Sequence, residues 1–239
     1  MRRVLNSKIY LATELLVLMV GLPLAVSTII PIRYMIPLLW LGTLYCHLVY
    51  RAVVDLPDRI GWRWAEVNRA NLRRVLGRFV ICALLTSVLV LAWKPMTFLS
   101  FACSRPKFWA VVMVAYPLLS VVPQEIIFRS FFFQRYGRIF PTPALIVLAS
   151  GVLFGAAHLI FQNWVAPLMC LIGGVIFAAT YQRTRSLALV CIEHALYGCM
   201  IFTVGLGSYF YHGSVYSARA EPTSHACAFI GERFSGLLR

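Results

Sequence analysis
Acidic residues are scarce in this sequence. Eight Asp and Glu stand against 22 Lys and Arg in 239 residues, and all charged residues together make up 13%. That is about half the share found in soluble proteins, too little to cover a water-facing surface. There is no HExxH, which excludes an ordinary zincin site. There is no CxxC either. The seven cysteines, Cys46, Cys82, Cys103, Cys170, Cys191, Cys199 and Cys227, fall mostly in apolar runs. They read as small buried hydrophobes and imply no disulfide framework. No internal or inverted repeat is visible, which argues against a transporter built on one.

Apolar residues fill the space that charge leaves. Hydrophobic residues make up 61% of the chain, and mean hydropathy is +0.80. A membrane span needs roughly 20 mainly apolar residues. Spans are predicted near 9–32, 35–50, 75–93, 108–123 (continuing as a helix to about 136), 142–161, 165–181 and 188–211. All should be helices, because lipid offers backbone groups no hydrogen-bond partner. The expectation is an all-α, polytopic membrane helical bundle of about seven transmembrane helices. A single membrane-embedded domain would cover 1–211, followed by a polar tail over 212–239. The basic stretch Met1 to Lys8 reads as the start of the first span rather than a removed signal peptide.

The net charge of +14 would suggest nucleic acid in a soluble protein. Here the basic residues gather at span ends and in short loops, where they set orientation and meet anionic lipid. The lipid bilayer is therefore an expected partner and nucleic acid is not. Arg51, Arg59, Arg63, Arg69, Arg73, Arg74 and Arg78, with Trp62 and Trp64, predict an interfacial helix over 51–78 on the cytoplasmic face. That places the N-terminus inside, with Arg135, Arg138, Arg183 and Arg185 in later inside loops. Lys94, Arg105 and Lys107 then lie outside, against the rule.

Charge within a bilayer is costly and marks functional candidates. Glu14, Glu125 and Glu193 lie in or beside apolar runs, as do His47, His158 and His194. Glu14 and His47 show no evident partner and read as structural or interfacial. Pro123 suits the first turn of a helix, which would put Gln124 and Glu125 where the helix dipole favours an anion. Arg129, four residues after Glu125, shares its face and can pair with it. Phe154 and His158 share another face, with small residues between them. Glu193 and His194 open the segment that ends at Gly198. One carboxylate and two imidazoles can activate water, directly or through a metal, and a histidine can stabilise an oxyanion. Such parts suit amide hydrolysis. Ser130 and the cysteines lack the neighbours of a nucleophile.

These three motifs, in this order and on separate spans, resemble the CPBP family of intramembrane proteases, which includes the type II CAAX prenyl endopeptidases and bacteriocin-processing or immunity relatives. The family pattern is Glu-Glu-x-x-x-Arg, then Phe-x-x-x-His, then His-x-x-x-Asn or a similar residue. Here it stands as Gln124-Glu125 with Arg129, Phe154 with His158, and His194 with Gly198.

The resemblance implies a protease-like core over about 108–211 and water-mediated cleavage of a membrane protein or peptide substrate. The catalytic group would be Glu125, His158, His194 and Arg129, with Gln124, Phe154, Glu193 and Gly198 as accessory residues. The family is described both as metalloproteases and as glutamic proteases. A divalent metal such as zinc, held by Glu125, His158 and His194, and no metal at all both stay open. Gln124 replaces the first glutamate and Gly198 the usual Asn. These departures leave an inactive membrane scaffold or immunity protein of the same fold as the alternative, and a transporter as a third. The expected location is the bacterial cytoplasmic (inner) membrane.

Overall fold
The computed structural model describes residues 5, 7–29, 31–53 and 61–210. The tail over 212–239, most of the basic N-terminus and residues 54–60 of the Arg-rich segment lie outside the described residues. Among those described, secondary structure is helical throughout and no strand occurs. Among the described residues the long helical runs are seven: α1 (8–29), α2 (Met35–Val53), α3 (Arg69–Trp93), α4 (Pro106–Ile139), α5 (Pro143–Phe161), α6 (Val165–Thr184) and α7 (Leu187–Thr203). Among the described residues, α3, α4, α5 and α6 are long and apolar enough to cross a membrane, and α7 is a shorter apolar helix. Leu84, Leu85, Val88 and Leu89 on α3 are each at least 60% exposed. Such a stripe suits lipid and not water. The chain is an all-α polytopic membrane protein.

Two boundaries and one expected helix differ most from the sequence expectation. α3 begins at Arg69 rather than 75, because its polar first turns continue the same helix beyond the apolar run. α7 stops at Thr203 rather than 211. Gly205 takes φ +99° there, which ends the helix, and a Cβ at that position would collide with the Thr97 backbone. The interfacial helix expected over 51–78 is not continuous. Gly61 (φ +74°) and Arg63 (φ +38°) break it, and among the described residues from 61 onward a 3-10 turn, Trp64–Glu66, precedes α3. The segment does different work. The Gly61 and Trp62 carbonyls accept the Leu187 and Ala188 amides at the start of α7. The Ser186 hydroxyl donates to the Trp62 carbonyl at 3.1 Å. Unpaired helix-end amides are thereby satisfied.

The chain forms two compact units, each built from two stretches of sequence: Met1–Asn68 with Leu119–Ile192, and Arg69–Leu118 with Glu193–Arg239. In the first unit, α5 and α6 pack backbone to backbone. A Cβ on Gly151 would sit 2.9 Å from the Val175 amide nitrogen, and one on Gly174 would sit 3.1 Å from Gly151 Cα. Only glycine permits this approach. Glu14 does have a partner, contrary to the sequence reading. Arg135 Nε lies 2.8 Å from its Oε2, with both side chains nearly buried, and Tyr45 donates to its other oxygen at 3.1 Å. His47 is exposed on α2. In the second unit, Trp109 Nε1 donates to Thr203 Oγ1 at 3.1 Å, and the Phe79 and Tyr197 rings meet edge-on at 5.5 Å.

Cys46, Cys82, Cys170, Cys191 and Cys199 carry free thiols. Cys103, which the sequence groups with the buried hydrophobes, is disulfide-bonded.

Candidate functional site
The site begins with an irregular helix. Pro117 and Pro123 both lie inside α4, where each removes an amide donor and crowds the preceding turn. Two wide, π-helical turns accommodate them, Pro117–Val121 and Ile126–Phe131, flanking a short α-helical stretch Val122–Glu125. Such turns are frequent at functional sites. Pro123 therefore does not begin a helix, and Gln124 and Glu125 do not sit over a free N-terminus. The first-turn dipole expected to hold Glu125 is absent.

Arg129 does what the dipole was expected to do. Its Nε lies 3.2 Å from Glu125 Oε2, and neither side chain has any exposure. Two charges fully withdrawn from water need each other. The guanidinium also donates to the Gly174 carbonyl on α6 at 3.4 Å. It lies 4.6 Å over the Phe154 ring and 5.8 Å over Phe177. Arginine suits this place because its flat, weakly hydrated head stacks on rings while its nitrogens bond in the plane. Phe177 and Gly174 went unnoticed in the sequence, since neither belongs to a motif.

Phe154 is the next link. It is buried, and the His158 ring lies 4.7 Å from its centroid. His158 Nδ1 lies 2.7 Å from the Phe154 carbonyl. A carbonyl can only accept, so Nδ1 carries hydrogen, and in the neutral ring Nε2 keeps the lone pair. Small residues between them let α5 turn into 3-10 geometry at His158–Phe161. The spacing of Phe154 and His158 thus has a physical cause: one turn brings ring to ring and ring nitrogen to carbonyl.

Gln124, beside Glu125, is 7% exposed. Its Nε2 donates to Ser120 Oγ at 2.7 Å. Its Oε1 is buried and has no hydrogen-bond partner among the described residues.

Glu193, His194 and Gly198 belong to the second unit. Glu193 is fully buried and pairs with Arg78, Nη2 to Oε1 at 2.8 Å. His194 is 5% exposed, and its Nε2 lies 3.1 Å from the Tyr116 hydroxyl. Gly198 lies one turn further along α7, against the phenol end of Tyr116. Arg78 and Tyr116 were not among the sequence candidates. A signal was present for Arg78, the last cation before the long apolar run of α3, but Tyr116 offered none.

Among the described residues, no group of three or more His, Cys, Asp or Glu is placed to hold a metal ion.

Residues 106–200 match the family model described as Rce1-like: Type II CAAX prenyl endopeptidase Rce1-like. This stretch, about two fifths of the chain, contains all three motifs, and the family is the one those motifs resemble. No curated protein and no solved structure matches the chain.

Proposed function
We propose that the protein is an intramembrane endopeptidase that hydrolyses a peptide bond of a membrane-associated protein or peptide. The family match supports a CAAX-type intramembrane protease fold. The observation that carries the reading is the run from buried Glu125, Arg129 and Phe154 to part-buried His158. A carboxylate and an oriented imidazole are costly to place among apolar helices, and catalysis is the return on that cost.

In this reading Glu125 takes a proton from water as the oxygen attacks the peptide carbonyl carbon. Arg129 fixes the carboxylate in place. His158, whose Nε2 is bare in the neutral ring, accepts a hydrogen bond from the attacking water, and His194 supplies one to the oxyanion that forms. The C–N bond then breaks, and Glu125 returns the proton to the departing amine. The protein sits in the cytoplasmic membrane with its N-terminus inside. The test is cleavage of a membrane-anchored peptide library in proteoliposomes, read by mass spectrometry. Glu125→Gln and His158→Ala should each abolish cleavage by a protein that remains folded, and cleavage persisting in both would sink the reading.

One observation favours a second reading, an inactive scaffold or immunity protein of the same fold. Gln124 is a neutral amide tied to Ser120, and an amide takes no proton from water. On this reading the wild type cuts nothing and Gln124→Glu creates activity.

A further inference from the structure
We infer that Tyr116 positions His194, and that Gly198 is glycine so that it can. Three observations within one unit carry this. The Tyr116 hydroxyl lies 3.1 Å from His194 Nε2. The two rings meet at 78° with centroids 6.2 Å apart, and Phe202 packs edge-on against Tyr116 at 5.2 Å. A Cβ built on Gly198 would fall onto Cε1, Cζ and the hydroxyl oxygen of Tyr116. Gly198 is an ordinary helical residue of α7. Its missing side chain is explained by space and not by backbone conformation. The phenol end occupies the volume that a side chain at 198 would fill, one turn beyond His194.

The chemistry of the partner matters. A phenol hydroxyl donates to a bare ring nitrogen and accepts from a protonated one. The Tyr116 hydroxyl can therefore hold His194 Nε2 in either tautomer. At His158 the partner is the Phe154 carbonyl, which accepts only. The two histidines are thus unlike. The Phe154 carbonyl fixes a hydrogen on His158 Nδ1, whereas the Tyr116 hydroxyl can meet His194 Nε2 whether or not that nitrogen carries hydrogen. Any catalytic use of that difference rests on the protease reading. The Tyr116–His194–Gly198 arrangement does not.

The experiment uses full-length protein in nanodiscs with 15N-labelled histidine, the His194 ring signals being identified by their loss in His194→Gln. Tyr116→Phe keeps the ring and removes the hydroxyl. Gly198→Ala keeps the hydroxyl and pushes it away. Both should shift the His194 Nε2 resonance in the same direction, and the double variant should shift it no further than either alone. Unshifted resonances in either single variant, or additive shifts in the double, would overturn the inference. Cleavage kinetics separate it from the protease reading. Tyr116→Phe should lower kcat about tenfold, the scale of one hydrogen bond, with KM little changed. Shifted resonances with kcat unaltered would leave the positioning intact and strike His194 from the catalytic group.

Discussion

The guanidinium of Arg129 lies 4.6 Å over the same Phe154 ring that the His158 imidazole approaches to 4.7 Å. One aromatic side chain thus joins a buried ion pair to a tautomer-fixed histidine. Phe154 is neither acid, base nor ligand. It covers the ion pair and sets the imidazole in register, so the spacing of Phe154 and His158 is a packing requirement with a chemical result.

Removing Arg129 should be among the most damaging single changes in the chain. Arg129→Ala leaves the Glu125 carboxylate buried and unpaired, a change that costs on the order of 3–5 kcal/mol. Arg129→Lys should recover only part, because an ammonium neither stacks flat on Phe154 nor bonds along an edge. Adding Glu125→Gln to Arg129→Ala should restore stability beyond the single variant. Unfolding titrations in detergent would measure all three, and a double variant no more stable than Arg129→Ala would contradict this account.

Glycine substitutions should have opposite signs at two positions. Gly151→Ala forces a methyl against the α6 backbone, whose nitrogen and Cα at Val175 lie 2.9 and 3.1 Å from it. Overpacking of this kind costs about 1–3 kcal/mol. Gly77→Ala on α3 meets nothing within 4 Å and should gain up to about 1 kcal/mol from helix propensity. Thermal unfolding of the two variants side by side is the measurement.

Glu14 and Arg135 should be strongly coupled. Their contact is 2.8 Å with side chains 7% and 3% exposed. A double-mutant cycle on Glu14→Gln and Arg135→Gln should give an interaction energy within about 0.5–3 kcal/mol. Additive effects would show that the pair contributes only through each partner's separate packing.

The Cys103 disulfide bears on topology. Such bonds persist in oxidising compartments, and Cys103 lies in the 94–107 stretch that an inside N-terminus places outside. After mild reduction of intact cells, a membrane-impermeant maleimide should label Cys103 without permeabilisation. Labelling that requires permeabilisation would reverse the orientation.

Much of this was legible in the sequence, and most of what was hidden shares one cause. Long apolar runs announce helices because lipid leaves the backbone no alternative, and the pairing of Glu125 with Arg129 follows from four-residue spacing. The pairs Glu14–Arg135, Arg78–Glu193 and Tyr116–His194 are 121, 115 and 78 residues apart. Periodicity is local, so it says nothing about which distant face a lone charge will meet. Gly198 shows the same limit. In the sequence it is a missing side chain, and only the fold shows the Tyr116 phenol in its place. The helix start expected at Pro123 failed for another reason. Proline marks a discontinuity, and a wide turn satisfies that mark as well as a helix end does.

The two wide turns in α4 have an angular consequence. Each takes in one residue more than an α-helical turn, and one residue corresponds to about 100° around the axis. Upstream, Val111, Val114, Leu118 and Leu119 are exposed, whereas from Val121 to Tyr136 almost every residue is buried. A single rod thereby changes its solvent partway along. Deleting one residue from Pro117–Val121 would close the first wide turn without removing any candidate site residue. It would also rotate Glu125 by roughly a quarter turn relative to the helix that precedes it. In this chain the phase of one helix is a variable of the site in its own right, set by residue count rather than by residue type.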